Sequence, residues 1–265
     1  MAEDPFSGFK AAQRESWGLF LPVETFTTPP AAVLVRHAGI QAGDRVLDVG
    51  CGTGVATLSA AARGAIAKGL DLSPALLERA RDNAELAGLA IEFTEGDVEN
   101  LPYRDAEFDV VTSQFGHMFA PRPERAVSEM LRVLRPGGTL AFSTWPPEMF
   151  MGRMFALVGR YAPPVEGAAP PLLWGRPDTI LERLGDHVKD VVFERGLALT
   201  PALSPQHFRI FMESSAAPLV KVVESTKDDP ARLAGFRAEL DSLISLYLHD
   251  NQLHQHFLCT RATKV

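Results

Sequence analysis

Three glycines at alternate positions follow a short apolar run and an acid in Val46-Leu47-Asp48-Val49-Gly50-Cys51-Gly52-Thr53-Gly54, and no other stretch restricts the fold as strongly. Val46, Leu47 and Val49 suit a strand buried on both faces, and residues 55–62 have the composition of a helix. Between the two, Gly50, Gly52 and Gly54 remove the Cβ atoms that would hold a ligand off the backbone. Strand, tight turn and helix start is the opening unit of an α/β sheet that binds something against bare main chain.

The details narrow what is bound. A dinucleotide fingerprint places its third glycine where this chain has Val55, and a P-loop requires a lysine that does not follow until Lys68. Asp48 would repel a phosphate. An uncharged or cationic ligand fits better.

Four further segments follow in order. Residues 65–72 form a second apolar run ending in Asp71, about twenty residues beyond the glycines, where an acid can accept ribose hydroxyls. Gly96-Asp97-Val98 ends a third alternating run, Phe108-Asp109-Val110-Val111 opens a fourth, and Leu134-Arg135-Pro136-Gly137-Gly138 precedes a fifth. Together with the glycine turn, this series resembles the class I S-adenosylmethionine-dependent methyltransferases, in particular the type 11, ubiquinone- and menaquinone-like group, and the likeness covers residues 30–145 closely.

The resemblance implies a Rossmann-like, doubly wound α/β fold. Its sheet would have seven mostly parallel strands in the order 3-2-1-4-5-7-6, helices on both faces and a helical insertion between strands 6 and 7. It implies S-adenosylmethionine as cofactor and S-adenosylhomocysteine as product. Gly50, Cys51, Gly52 and Gly54 would admit the amino-acid portion, with Asp48 fixing the turn or the ammonium. Asp71 and Leu72 would lie at the ribose. Asp97 would accept from the adenine amino group and the Val98 amide donate to the ring, although Gly96-Asp97 also reads as a plain turn. Residues 101–103 would cover the adenine. If strands 1 and 4 are neighbours, the exit of the fourth faces the glycine turn, which puts Ser113 and Gln114 at the methionine part and Phe115, His117 and Met118 near the acceptor.

Lys and Arg total 26 against 33 Asp and Glu, a net charge of -7, and no basic run occurs, so a nucleic-acid partner is not expected. Cys51 and Cys259 are the only cysteines, which suggests no disulfide framework and a reducing, cytoplasmic setting. The acidic N-terminus does not read as a signal peptide, and no run reads as a membrane span. The expectation is a single domain over 1–265, monomer or homodimer, acting on a small molecule.

Residues 1–28 read as an N-terminal helical lid, with Phe9, Trp17 and Phe20 on the apolar side of a helix over 8–20; simple packing is the other reading. Thr28 ahead of Pro29 and Pro30 predicts a helix start and Gly39 its end. Ser73-Pro74 predicts another start, with a stop at Gly88. After a helix over 123–134 and the fifth strand, which delivers Trp145, the expected elements are helices over 148–160 and 177–184, a sixth strand over 188–199, two helices over 205–225 and 229–248, and a last strand over 251–263. Residues 162–177 read as a long ordered loop whose Trp174 could close the site. Segments 146–187 and 202–250 would shape the acceptor pocket, with Trp17, Phe115, Met118, Trp145 and Trp174 as its walls.

The cofactor's methyl group is already activated on a sulfonium, so alignment matters more than protein-derived bonds. His117 is the candidate general base, or else an ordinary pocket residue. His249, His254 and His256 lie close together, yet without Cys or acid partners they suggest a solvated hairpin face rather than a metal site. Methylation of RNA or protein, and a non-catalytic module that binds the cofactor, are the alternative readings.

Overall fold

A computed structural model of the chain describes residues 4–162 and 165–265. The apolar run after the first helices becomes β1 (Arg45–Val49), buried from its second residue on. β2 (Ile66–Asp71), β3 (Glu92–Glu95), β4 (Phe108–Gln114) and β5 (Leu134–Thr144) join it in one parallel sheet, in the spatial order β3-β2-β1-β4-β5. The chain then adds β6 (Val188–Pro201) at the far edge and inserts β8 (Gln252–Lys264) antiparallel between β5 and β6. The sheet is the expected one with one addition: β7 (Leu248–His249), two residues long, pairs only with β8 as a short hairpin.

Helices α2 (Glu24–Ala38), α3 (Val55–Ala61), α4 (Pro74–Leu86), α5 (Pro123–Val133) and α7 (Pro177–Leu184) flank the sheet. α5 shows how sequence dictates this: Ala126, Val127, Met130 and Val133 fall on one stripe and are buried, while its charged residues lie opposite. Phe108, Val111, Leu140 and Phe142 fill the centre of the sheet core.

A second apolar cluster lies above the carboxyl ends of the strands. It joins α6 (Phe150–Tyr161) to the insertion between β6 and β8, through Phe150, Met154, Phe208, Leu219, Phe236 and Ile244. That insertion is three helices, not two: α8 (Pro205–Ser215), α9 (Ala217–Ser225) and α10 (Pro230–Ser245). The break at Ala216 has a local cause, because Pro218 lacks the N–H that a continuous helix would need.

Two helix starts also depart from expectation. α1 (Ser7–Ser16) passes through a 3₁₀ stretch at Trp17–Val23 directly into α2, which begins at Glu24 rather than after Thr28. Pro29 and Pro30 therefore lie inside α2, and the Thr28 hydroxyl donates back to the Glu24 carbonyl at 2.8 Å instead of capping a new helix. At α4, Ser73 holds the cap position but its hydroxyl caps nothing; the Asp71 carboxylate accepts from the Ser73 N–H at 2.8 Å and fixes the turn. Within 162–177, residues Pro171–Gly175 form one 3₁₀ turn, and residues 163 and 164 lie outside the described part of the chain.

Because α1 runs on into α2, Ser7–Ala38 reaches the length and mean hydropathy of a membrane-crossing helix, which the sequence reading did not anticipate. In the fold only its C-terminal part, within α2, is buried against the sheet. Leu34 and Val35 enter the sheet core, and Lys10, Arg14 and Glu24 form ion pairs with other elements.

Candidate active site

The glycine turn is held from both sides. Asp48 is buried and accepts from the Thr57 hydroxyl at 2.7 Å and the Thr112 hydroxyl at 3.1 Å; burial pushes its pKa up to about 6 against the pull of those two bonds. It fixes the turn to β4 and α3 and does not line the cavity, so the ammonium role suggested for it is not the one its position serves. On the other side Asp71 accepts from the Gly52 N–H at 2.8 Å, and burial raises its pKa.

The three glycines have different reasons to be glycine. All have positive φ. A Cβ on Gly50 would come within 2.9 Å of the Gly116 Cα, and one on Gly116 within 2.5 Å of the Gly50 carbonyl oxygen, so the turn and the exit of β4 touch backbone to backbone. At Gly52 a Cβ would meet nothing within 4 Å. Gly54 does not line the cavity: its Cβ would strike Leu58, Phe93 and Ala80, which makes it a packing glycine rather than a ligand contact.

A cavity of about 230 Å³ begins at this turn. Gly50, Cys51, Gly52, Asp71, Leu72, Asp97 and Val98 line one half, along the ends of β1, β2 and β3. Asp97 serves as a turn residue and a wall residue at once. Its carboxylate accepts from the Glu99 N–H at 2.9 Å and from Lys10 Nζ at 2.6 Å. Residues 101–103 do not cover this half. Leu101 is in the core and Tyr103 packs edge-on against Phe108.

Gln114 and Phe115 continue the wall past β4, and Trp145 leaves β5 beside them. Phe115 takes a positive φ of 60° and stacks on Trp145 with ring centroids 3.9 Å apart. The wall then passes to Met151 and Phe155 of α6, Ala198 of β6, Phe208 and Met212 of α8 and Gln255 of β8. Lys10, Gln13, Trp17 and Phe20 of α1 and the 3₁₀ stretch line the cavity too. Lys10 ties this segment to the rest of the fold. Its ammonium lies 2.6 Å from Asp97 and from Glu99 and 3.0 Å from Asp4, while Arg122 reaches Glu99 and Asp4. Burial disfavours the Lys10 charge, yet these carboxylates raise its pKa.

Besides Asp48 and Gly54, four further residues expected in the site do other work. Ser113 is fully buried; its hydroxyl donates to the Val49 carbonyl at 2.6 Å and accepts from the His117 N–H at 3.0 Å, tying β4 to β1. Met118 and Trp174 belong to the sheet core and do not touch the cavity. His117 borders the cavity, but its ring is fully buried between Phe142 and Trp174, each with centroids 4.6 Å away, and neither ring nitrogen has a partner. Desolvation, with the nearby Arg183 charge, lowers its pKa to about 3. A ring with no proton-accepting contact and so little affinity for a proton is a poor general base.

Lys10, Gly116, Phe155, Met212 and Gln255 are site residues that sequence reasoning missed. Only Gly116 left a signal, as a glycine beside the exit of β4. His249 and His254 stack edge-on, centroids 5.2 Å apart, and among the described residues no group of three or more His, Cys, Asp or Glu gathers as metal ligands.

The match to known proteins follows the same boundaries. Residues 47–142, from within β1 to within β5, match a family model described as a methyltransferase domain. An uncharacterized protein of Mycobacterium tuberculosis is 36% identical over 259 residues, 96% of this chain and 94% of its own. A demethylmenaquinone methyltransferase of Thermus thermophilus is 41% identical over 109 residues, 40% of this chain and 50% of that protein. The chain belongs to the class I S-adenosylmethionine-dependent methyltransferases. The structure of a phosphoethanolamine N-methyltransferase of Haemonchus contortus, solved with phosphomonomethylethanolamine and S-adenosylhomocysteine, shares the fold (TM-score 0.57, 19% identity, 89% of this chain and 52% of that one). In this methyltransferase the family match ends at β5, so the part of the cavity built from α6, β6, α8 and β8 lies outside the shared domain.

Proposed function

We propose that this methyltransferase transfers the methyl group of S-adenosylmethionine to a small-molecule acceptor held in the half of the cavity beyond β4. One observation carries the reading: a single cavity runs from Gly52 and Asp71 to Phe155, Ala198 and Gln255, so a nucleoside and a second ligand share one lidded space. The first half fits the cofactor. Gly52 leaves open room for a ligand atom where a Cβ would stand. Asp71 has spent one bond on each carboxylate oxygen, to the Gly52 and Ser73 N–H groups, and keeps lone pairs for a ribose diol.

S-adenosylmethionine supplies a methyl carbon that needs no further activation. The cofactor, held against Gly52 and Asp71, would supply the methyl carbon as the carbon–sulfur electron pair stays with sulfur, and any proton on the acceptor atom would leave to solvent. The chain's own contribution is to hold both ligands in line and keep water out, which can supply roughly 7–11 kcal/mol of the barrier reduction. It supplies no general base in this reading, because His117 is sequestered and the other titratable groups of the wall, Lys10, Glu24, Cys51, Asp71 and Asp97, sit in the cofactor half.

Calorimetric titration with S-adenosylhomocysteine is expected to show one site per chain, and Asp71→Ala to weaken it at least about tenfold, as loss of a charge-assisted bond would. Labelled methyl from S-adenosylmethionine is expected in the small-metabolite fraction of a cell extract. Label confined to protein or RNA would overturn the small-molecule reading, and failure to bind S-adenosylhomocysteine would overturn the cofactor site.

A further inference from the structure

Among the described residues, four amide or hydroxyl side chains line the cavity beyond the glycine turn: Gln13, Thr27, Gln114 and Gln255. Three are committed to main-chain carbonyls. Gln13 Nε2 donates to the Phe119 carbonyl at 3.2 Å, the Thr27 hydroxyl to the Glu24 carbonyl at 3.1 Å, and Gln114 Nε2 to the Thr27 carbonyl at 2.6 Å. A carbonyl only accepts, so each of these groups is locked in one orientation. The Gln114 oxygen is then shut away, with neither a partner nor open surface.

Gln255 differs in its partner. It lies on β8 opposite Ala198 of β6, both residues line the cavity, and its Nε2 donates to the Thr200 hydroxyl at 2.6 Å. Thr200 is fully buried, two residues along the same face of β6. A hydroxyl both donates and accepts, so the pair has two hydrogen-bonded arrangements. In one, Nε2 donates to Thr200 and Oε1 is left for a ligand. In the other, the Thr200 hydroxyl donates to Oε1 and Nε2 is left instead. Gln255 is buried, yet its free amide end is not shut off as the Gln114 oxygen is.

The walls around it sharpen the effect. Phe155, Ala198, Phe208 and Met212 of the same half are apolar. A ligand that covered Gln255 without a hydrogen bond would leave the amide desolvated and unpaired. A site built to pair a polar group rejects a ligand lacking it far more strongly than an apolar pocket rejects a missing methylene.

We propose that Gln255 is a specificity-determining residue: its amide turns over on Thr200 to meet one polar group of the acceptor, whether that group donates or accepts. This rests on the methyl-transfer reading, which puts the acceptor in this half of the cavity. β8 lies outside the residues that match the methyltransferase model, so the selection is made outside the shared domain.

Three probes of nearly one shape test it. Ethylbenzene carries no polar group, 1-phenylethanol a hydroxyl and acetophenone a carbonyl, and each is titrated into the full chain saturated with S-adenosylhomocysteine. The readout is the affinity of each polar probe divided by that of ethylbenzene, which cancels the contribution of the shared ring. In Gln255→Met both ratios are expected to fall by at least about tenfold, with S-adenosylhomocysteine affinity within about twofold of wild type. Thr200→Val keeps the shape and leaves the amide unanchored, so it is expected to lower both ratios by about threefold, and it carries the test if the methionine variant does not fold. Unchanged ratios overturn the proposal, as does failure of either polar probe to bind the wild type. A fall for 1-phenylethanol alone shows an amide fixed with its oxygen toward the ligand and overturns the turning. Equal loss of probes and S-adenosylhomocysteine gives Gln255 a role in the fold and overturns selection. Failure of the unmodified chain to bind S-adenosylhomocysteine refutes the cofactor reading instead.

Discussion

The half of the cavity proposed for the cofactor is built from main chain, and the half proposed for the acceptor from side chains. Around Gly50, Gly52 and Gly116 the wall is glycine backbone: Asp71 accepts from the Gly52 N–H, while Asp48, bonded to Thr57 and Thr112, and Ser113, bonded to Val49 and His117, hold the segments beside it. Around Phe115, Phe155 and Met212 it is rings and thioethers from elements far apart in sequence. At Gly50 and Gly116 the backbone wall leaves no room for an added atom, whereas a wall of side chains changes shape with each substitution. The first suits a ligand common to many enzymes, the second a ligand particular to one.

The sharpest way to break that comparison is Gly116→Ala. Its Cβ would sit 2.5 Å from the Gly50 carbonyl oxygen and 2.8 Å from the Gly50 Cα, and neither neighbour can move without displacing a strand end. The expected result is loss of S-adenosylhomocysteine binding by calorimetry and a stability loss of several kcal/mol, in the range of severe overpacking. Retained affinity would show that the main-chain wall is softer than described.

His117→Phe tests whether the boundary between the halves holds a base. The folded pKa of about 3 lies below the ordinary 6.5, so the neutral ring's stabilisation is complete above pH 6.5 and is lost as pH falls toward 3. Phenylalanine removes that dependence. In urea unfolding between pH 7 and 4, the variant is expected to gain on the wild type by up to about 1.4 kcal/mol per pH unit. Methyl transfer at neutral pH is expected to stay within about threefold, where removal of a base would cost roughly 10²- to 10⁴-fold.

The smallest effect should come from the acceptor side. Phe155→Ala is expected to leave S-adenosylhomocysteine affinity unchanged and to raise the KM for the methyl acceptor by about tenfold, the size of one lost aromatic contact. Equal weakening of both ligands would mean that the halves are one coupled site.

The same division governs what could be read from sequence. The fold around the glycine turn was legible because each segment's physical demands are local: glycine where φ is positive, an acid at a strand end, a strand order that follows from parallel crossovers. Even there, side-chain direction was not legible. Ser113 and Gln114 are adjacent on β4, and the pleat sends Ser113 into the interior and Gln114 to the cavity. Trp174 read as a lid residue because it lies in a loop, but its ring covers His117 and Phe142 and carries Arg183 over its face at 4.5 Å. Ala198, Phe208 and Gln255 converge only once β8 has paired with β6, and no short stretch of sequence encodes that register.

The contact between Gly50 and Gly116 has a practical consequence for redesign. Both sides of it are main chain, so no compensating truncation elsewhere can make room for a side chain at either position, and the pair behaves as one inherited constraint rather than two. Positions such as Phe155, Ala198 and Met212 carry no such debt to the backbone. A library that fixes the glycines and randomises those three would sample new acceptors on an unchanged cofactor platform.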